Sequence, residues 1–192
     1  MSKIGLLLAH CALIPLVCGA STKFKVRRIG HVRTEACAVA DFNNDGRLDV
    51  IAGPNLYLAP EFRPVKVRDV TSNVNADGRG YADDFMNLPL DVNGDDTPEL
   101  ITGKRYRAHN GGDPDEDGPL GVYYYEFTPG PNPVFTKYAI TYNEGIGTGM
   151  NIVPVDIDGD GDVDLVTTGK WGGPVIFENM TRSPYHACLR FD

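Results

Sequence analysis

Short runs of alternating apolar and polar residues, broken by turn formers, fill most of this chain. Val65 to Val70, Gly121 to Phe127, Phe135 to Tyr142 and Pro174 to Glu178 are rich in Val, Tyr, Phe, Thr and Ile and are bounded by Pro, Gly and Asn. That is the pattern of half-buried strands. Beyond residue 20, no stretch sustains the 3.6-residue period of an amphipathic helix. The pattern predicts an all-β chain. Within Tyr123-Tyr124-Tyr125, alternation puts the outer two rings on one face and Tyr124 on the other.

The same pattern recurs at larger scale. Ala38 to Gly53, Leu88 to Gly103 and Val153 to Gly169 each read as strand, acidic loop, strand, small residue, Gly. With the runs between them, each repeat holds about four strands, the size of one β-propeller blade. The fold expected is a partial β-propeller of about three four-stranded blades. A ring of about four to eight blades is usual, so closure calls for further blades or self-association. The stretch from Tyr106 to Pro119 reads as an elaborated surface loop.

The acidic loops share the spacing Asp-x-[Asp/Asn]-x-Asp-Gly-x-x-Asp. A hard cation such as Ca²⁺ takes about six to eight oxygens. Positions 1, 3 and 5 of a tight loop converge, position 7 offers its carbonyl and position 9 closes the shell. Loop 1 supplies Asp41, Asn43, Asp45, the Arg47 carbonyl and Asp49. Loop 3 supplies Asp156, Asp158, Asp160, the Asp162 carbonyl and Asp164. Loop 2 supplies Asp91, Asn93, Asp95, the Thr97 carbonyl and Glu99, but Asp96 stands where the others carry Gly. Weaker binding is expected there. An EF-hand would need Glu at position 12 and flanking helices; Ala52, Thr102 and Thr167 occupy position 12 between strand-like flanks. One Asp-Gly turn needs no metal. Three copies with four or five oxygen positions each point to one.

Charge and processing narrow the class. The formal charge of −8 argues against a nucleic-acid partner, which demands a basic surface. Residues 1–20 read as a signal peptide: Lys3, an apolar run from Ile4 to Val17 too short for a comfortable membrane span, and Ala20 before Ser21. The expected location is therefore secreted or extracellular, or periplasmic in a Gram-negative host. Val17 before Cys18 argues against lipid attachment. Residues 21–184 form the repeat region, and 185–192 carry no blade pattern. Cys37 and Cys188 remain after export, as a bridge or as two thiols. Asn179-Met180-Thr181 is a glycosylation sequon.

The loop residues resemble FG-GAP (also called VCBS) repeats, the blades of integrin-α-type and related secreted propellers. The likeness includes the small-Gly elements Ala52-Gly53-Pro54, Thr102-Gly103-Lys104 and Thr168-Gly169-Lys170, and it covers about residues 24–179. It implies calcium-loop blades. Tyr81-Ala82-Asp83-Asp84-Phe85, Gly103 to Gly111 and Gly145 to Gly149 look like secreted propellers of the aldos-2-ulose dehydratase group, which are sugar-processing lyases. Two functions follow: a calcium-rigidified binding or adhesion scaffold with a carbohydrate or protein ligand, or part of a carbohydrate lyase. They divide at His109, which with Asn110 is the candidate substrate-binding pair beside Arg105 and Arg107. Trp171 and the Tyr123 run are further candidates to line a pocket. No Ser-His-Asp grouping, phosphate loop, CxxC or zinc spacing is present, and no catalytic residue is assigned.

Overall fold

The computed structural model describes residues 23–181. The expected signal peptide and the 185–192 tail, with Cys188, lie outside the described residues. Cys37 is exposed.

Eleven strands and no helix make up the described chain: β1 (Cys37–Ala40), β2 (Asp49–Ala52), β3 (Asn55–Leu58), β4 (Arg63–Lys66), β5 (Leu88–Leu90), β6 (Glu99–Gly103), β7 (Gly121–Thr128), β8 (Val134–Tyr142), β9 (Ile152–Val155), β10 (Asp164–Gly169) and β11 (Gly172–Phe177). They form three antiparallel sheets, β1-β2-β3-β4, β5-β6-β7-β8 and β9-β10-β11, each in sequence order. No closed barrel is formed among the described residues. The fold is all-β, as the alternation requires. The third sheet has three described strands, one short of the expected four.

Each acidic loop joins the first two strands of its sheet. Loop position 9 is the first residue of the second strand: Asp49 of β2, Glu99 of β6 and Asp164 of β10. This placement is fixed by register. Ala40 pairs with Asp49, Leu90 with Glu99 and Val155 with Asp164.

The sheets pack face to face through two apolar clusters. Phe42, Ile51, Leu56, Leu100, Tyr125 and Phe135 anchor the cluster between the first and second sheets. Met86, Ile101, Val122, Ile152 and Leu165 anchor the one between the second and third. Leu100 and Ile101 are adjacent in β6 and belong to different clusters, so the middle sheet is covered on both faces. Every residue of β6 is buried for this reason. Tyr123 and Tyr125 pack with the first cluster and Tyr124 with the second, the division that alternation predicts.

Loop position 2 contributes to the same packing. Phe42 is fully buried and meets Phe135 edge-on, with ring centroids 5.6 Å apart. Val92 packs on the second cluster. Their counterpart Ile157 is 47% exposed, as are parts of Val153, Val155 and Ile176 in the third sheet. No helix long and apolar enough to cross a membrane is present among the described residues.

Candidate functional site

The three acidic loops fold alike, and their side chains dictate how. The position-1 carboxylate accepts the N–H groups that cross the loop. Asp41 receives Asp45 and Gly46 at 3.0 and 2.7 Å. Asp91 receives Gly94, Asp95 and Asp96 at 2.6, 3.2 and 2.9 Å. Asp156 receives Gly159 and Gly161 at 2.7 and 3.2 Å. The position-3 oxygen accepts from position 5: Asp45 on Asn43, Asp95 on Asn93, Asp160 on Asp158, at 3.0–3.2 Å. The position-5 carboxylate accepts from the N–H of Arg47, Thr97 or Asp162 at 2.8–3.0 Å. These are Asx turns in series. They require left-handed backbone at position 6, found at Gly46, Asp96 and Gly161, and also at position 4, found at Asn44, Gly94 and Gly159.

Position 9 sits beneath each loop in the sheet interior. Asp49, Glu99 and Asp164 are at most 2% exposed. Asp164 accepts the Ile157 N–H at 2.8 Å and the Asn179 N–H at 2.7 Å. Glu99 accepts the Val92 N–H at 2.9 Å and the Asn93 amide at 3.2 Å. Burial pushes its carboxyl up to about 7 against the pull of the Val92 N–H, and the charges of Asp95 and Asp91 push the same way. Burial raises Asp49 as well, opposed by the Ala59 N–H that donates to Oδ1 at 2.8 Å. Its other oxygen, Oδ2, is buried without a hydrogen bond of ordinary geometry, although the Phe42 N–H is near enough to pull the carboxyl down.

A buried carboxylate oxygen without a donor is costly, and a cation would satisfy it. In loop 3 the carboxylates of Asp156, Asp158 and Asp164 bring one oxygen each within 4.8 Å of one another. Ca²⁺–oxygen bonds of about 2.3–2.6 Å allow one ion to touch three oxygens at that spacing. The donor set is all oxygen, which suits a hard cation. Asp160 is outside this trio, although the spacing grouped it with them; its Oδ1 faces the Asp162 N–H. In loops 1 and 2, Asn43 and Asn93 turn their amide nitrogens to Asp45 and Asp95 at 3.2 and 3.3 Å.

Comparison of the chain with protein-family models, with curated proteins and with solved structures found no match.

His109 and Asn110 part company. The His109 Nδ1 lies 2.6 Å from Asp113, whose other oxygen accepts the His109 N–H at 2.9 Å. The ring stacks on Tyr81 at 3.6 Å between centroids. Burial alone would raise Asp113, but the hydrogen bonds from His109 outweigh it and hold the carboxyl below its ordinary value. His109 lines a cavity of about 530 Å³ with Arg105, Thr148, Met150 and Lys170. Asn110 is exposed, has a φ of 53° and does not line it. Trp171 is outside it too, and its indole N–H donates to the Thr148 carbonyl at 3.4 Å.

Asn179 has a role that its sequon does not indicate. Its side-chain nitrogen donates to the Val92 carbonyl at 3.0 Å, and its N–H reaches Asp164. It ties loop 2 to loop 3. The sequence assigns no individual role to Arg68, Asp83, Asp84 or Lys104. Arg68 and Asp84 form a fully buried ion pair at 2.8 Å, completed by Asn87 at 3.1 Å and the Thr34 hydroxyl at 2.9 Å. Asp83, one residue away, faces a cleft instead. Only alternation along Tyr81 to Phe85 could have separated the two aspartates.

Proposed function

We propose that this chain is an exported calcium-binding β-propeller segment that acts as a binding or adhesion scaffold. The reading is supported chiefly by one observation: three loops of similar hydrogen-bonding pattern each set a buried carboxylate beneath acids that are half-buried or exposed. Without a cation, that arrangement concentrates like charge. With one, the carboxylates become ligands that pin the first two strands of each sheet together. The FG-GAP likeness rests on the same residues. Export rests on residues 1–20 and the secreted location follows from it. The third sheet's apolar outer face is where a further blade or a second copy would pack.

The test is equilibrium dialysis of the secreted protein against radioactive calcium. The reading predicts saturable binding at two to three sites, with Asp164→Asn removing one. No binding at millimolar calcium would overturn it.

A second reading, part of a sugar-processing lyase, draws on the oriented His109–Asp113 pair at a cavity wall. The two readings differ at one point: a lyase needs the His109 imidazole, and a scaffold does not.

A further inference from the structure

We propose that the cleft between the second sheet and the segment 68–83 that follows the first, with Asp83 and Lys137 in its walls, is a binding site for a neutral saccharide. This deepens the scaffold reading, on which it rests, by naming the ligand and the place it binds.

The cleft has a volume of about 270 Å³, and its walls include Asp83, Lys104, Tyr123, Tyr125, Lys137 and Tyr142. The tyrosines come from one face of β7 and the end of β8. Asp83 comes from the segment opposite, held in place by the Arg68–Asp84 pair beside it. Most charges here are already committed. Arg68 is locked on Asp84, and Lys104 donates to the Asp115 carboxylate at 2.9 Å. Asp83 and Lys137 are different. Among the described residues, neither takes part in a side-chain hydrogen bond or an ion pair. The Lys137 amine instead lies over the Tyr123 ring, 3.5 Å from its centroid. Burial pushes the Asp83 carboxyl up to about 6, even against the pull of Lys104. A half-buried carboxylate without donors, and beside it an amine held over an aromatic ring with its N–H groups free to donate, are the marks of a site that takes a ligand.

The lining chemistry selects the class. Arg68, Lys104 and Lys137 balance Asp69, Asp83 and Asp115, three charges against three, so neither an anion nor a cation is favoured overall. Among the described residues, Asp83 belongs to no group of carboxylates near enough to share a metal ion; the group that does is at Asp156. A carboxylate can only accept and an ammonium can only donate. Sugar hydroxyls do both, so one ring can satisfy both groups at once. Its C–H face finds an aromatic surface in the exposed Tyr142, since the Lys137 amine covers one face of the neighbouring Tyr123 ring.

The test is isothermal titration of the calcium-loaded chain. Maltose, cellobiose and lactose are the neutral probes, with glucuronate and glucosamine as charged ones. At least one neutral disaccharide should bind in preference to both charged sugars. Asp83→Asn and Lys137→Met should each weaken it about tenfold, the cost of a lost charge-assisted hydrogen bond. Thermal melts of each variant accompany the titrations. Lys137 is exposed, so Lys137→Met carries the test should Asp83→Asn not fold. Absence of neutral-sugar binding, preference for a charged sugar, or unchanged binding by folded variants would overturn the proposal. An intact calcium-dependent melt in the same samples would show that the scaffold reading survives.

Discussion

At the scale of single residues, the acidic loops are legible because their hydrogen-bonding pattern is local. Asp, Asn and Asp at positions 1, 3 and 5 appear in sequence as they do in space. What the spacing conceals is depth. Glu99 replaces Asp at position 9, yet it is buried like Asp49 and Asp164, because each opens a strand that packs against a neighbouring sheet. Its raised carboxyl has a consequence with a definite sign. Between the ordinary 4.5 and about 7, the folded chain keeps a proton that the unfolded chain has released. Metal-free stability therefore falls as pH rises through that window, and the full cost is present above it. Glu99→Gln cannot ionise. In EDTA it should flatten the fall in melting temperature between about pH 5 and about pH 8, and melt above the parent at the upper end. An unchanged slope would show that Glu99 is ionised throughout. The Asp83–Asp84 pair was illegible for another reason: two identical neighbours reveal nothing of which one a buried arginine takes.

At the scale of elements, the long strands were readable and the short ones less so: the Val65 to Val70 run predicted a strand, and the strand found there is Arg63–Lys66. β7 and β8 match the apolar runs almost end to end. β3, Asn55–Leu58, is only four residues long and follows the Gly53-Pro54 break at once, too little pattern to stand out. The loops show the same contrast. Glycine at position 6 announces the left-handed turn of loops 1 and 3, but position 4 holds Asn44, Gly94 or Gly159 and shows no common letter. Asp96 adopts a φ of 66° where the other two loops have glycine, at a steric cost that glycine avoids. Asp96→Gly should therefore stabilise the fold by on the order of 1 kcal/mol and remove one more negative charge from the loop. Chemical denaturation checks this through the midpoint at constant slope. A destabilised variant would mean that the Asp96 carboxylate does more than close a turn.

At the scale of the whole molecule, three sheets stack through two cores, and the middle sheet is buried on both faces. Repeat counting gave the number of sheets. It could not give their packing, because adjacent Leu100 and Ile101 face opposite cores and a one-dimensional pattern does not say which neighbour lies on which side. Nor did it reveal Asn179, which bridges loops 2 and 3 across a sheet boundary. The loops are thus joined to the cores, through Phe42 and Val92 below and Asn179 between, and a cation in a loop should stabilise the stack as a unit. The decisive measurement is a thermal melt of the folded chain in EDTA, in millimolar calcium and in millimolar magnesium. A site with a dissociation constant of about 10⁻⁴ M, typical of extracellular modules, contributes about 1.4 kcal/mol at that concentration, or roughly 3–6 °C for a chain of this size. Magnesium, which demands a tighter octahedral shell, should give less. Asp158→Ala, which breaks the converged trio of loop 3, should lose more of the calcium shift than Asp95→Ala. A melting temperature that calcium leaves unchanged, in protein shown to be folded, would make these loops ordinary turns and contradict the account.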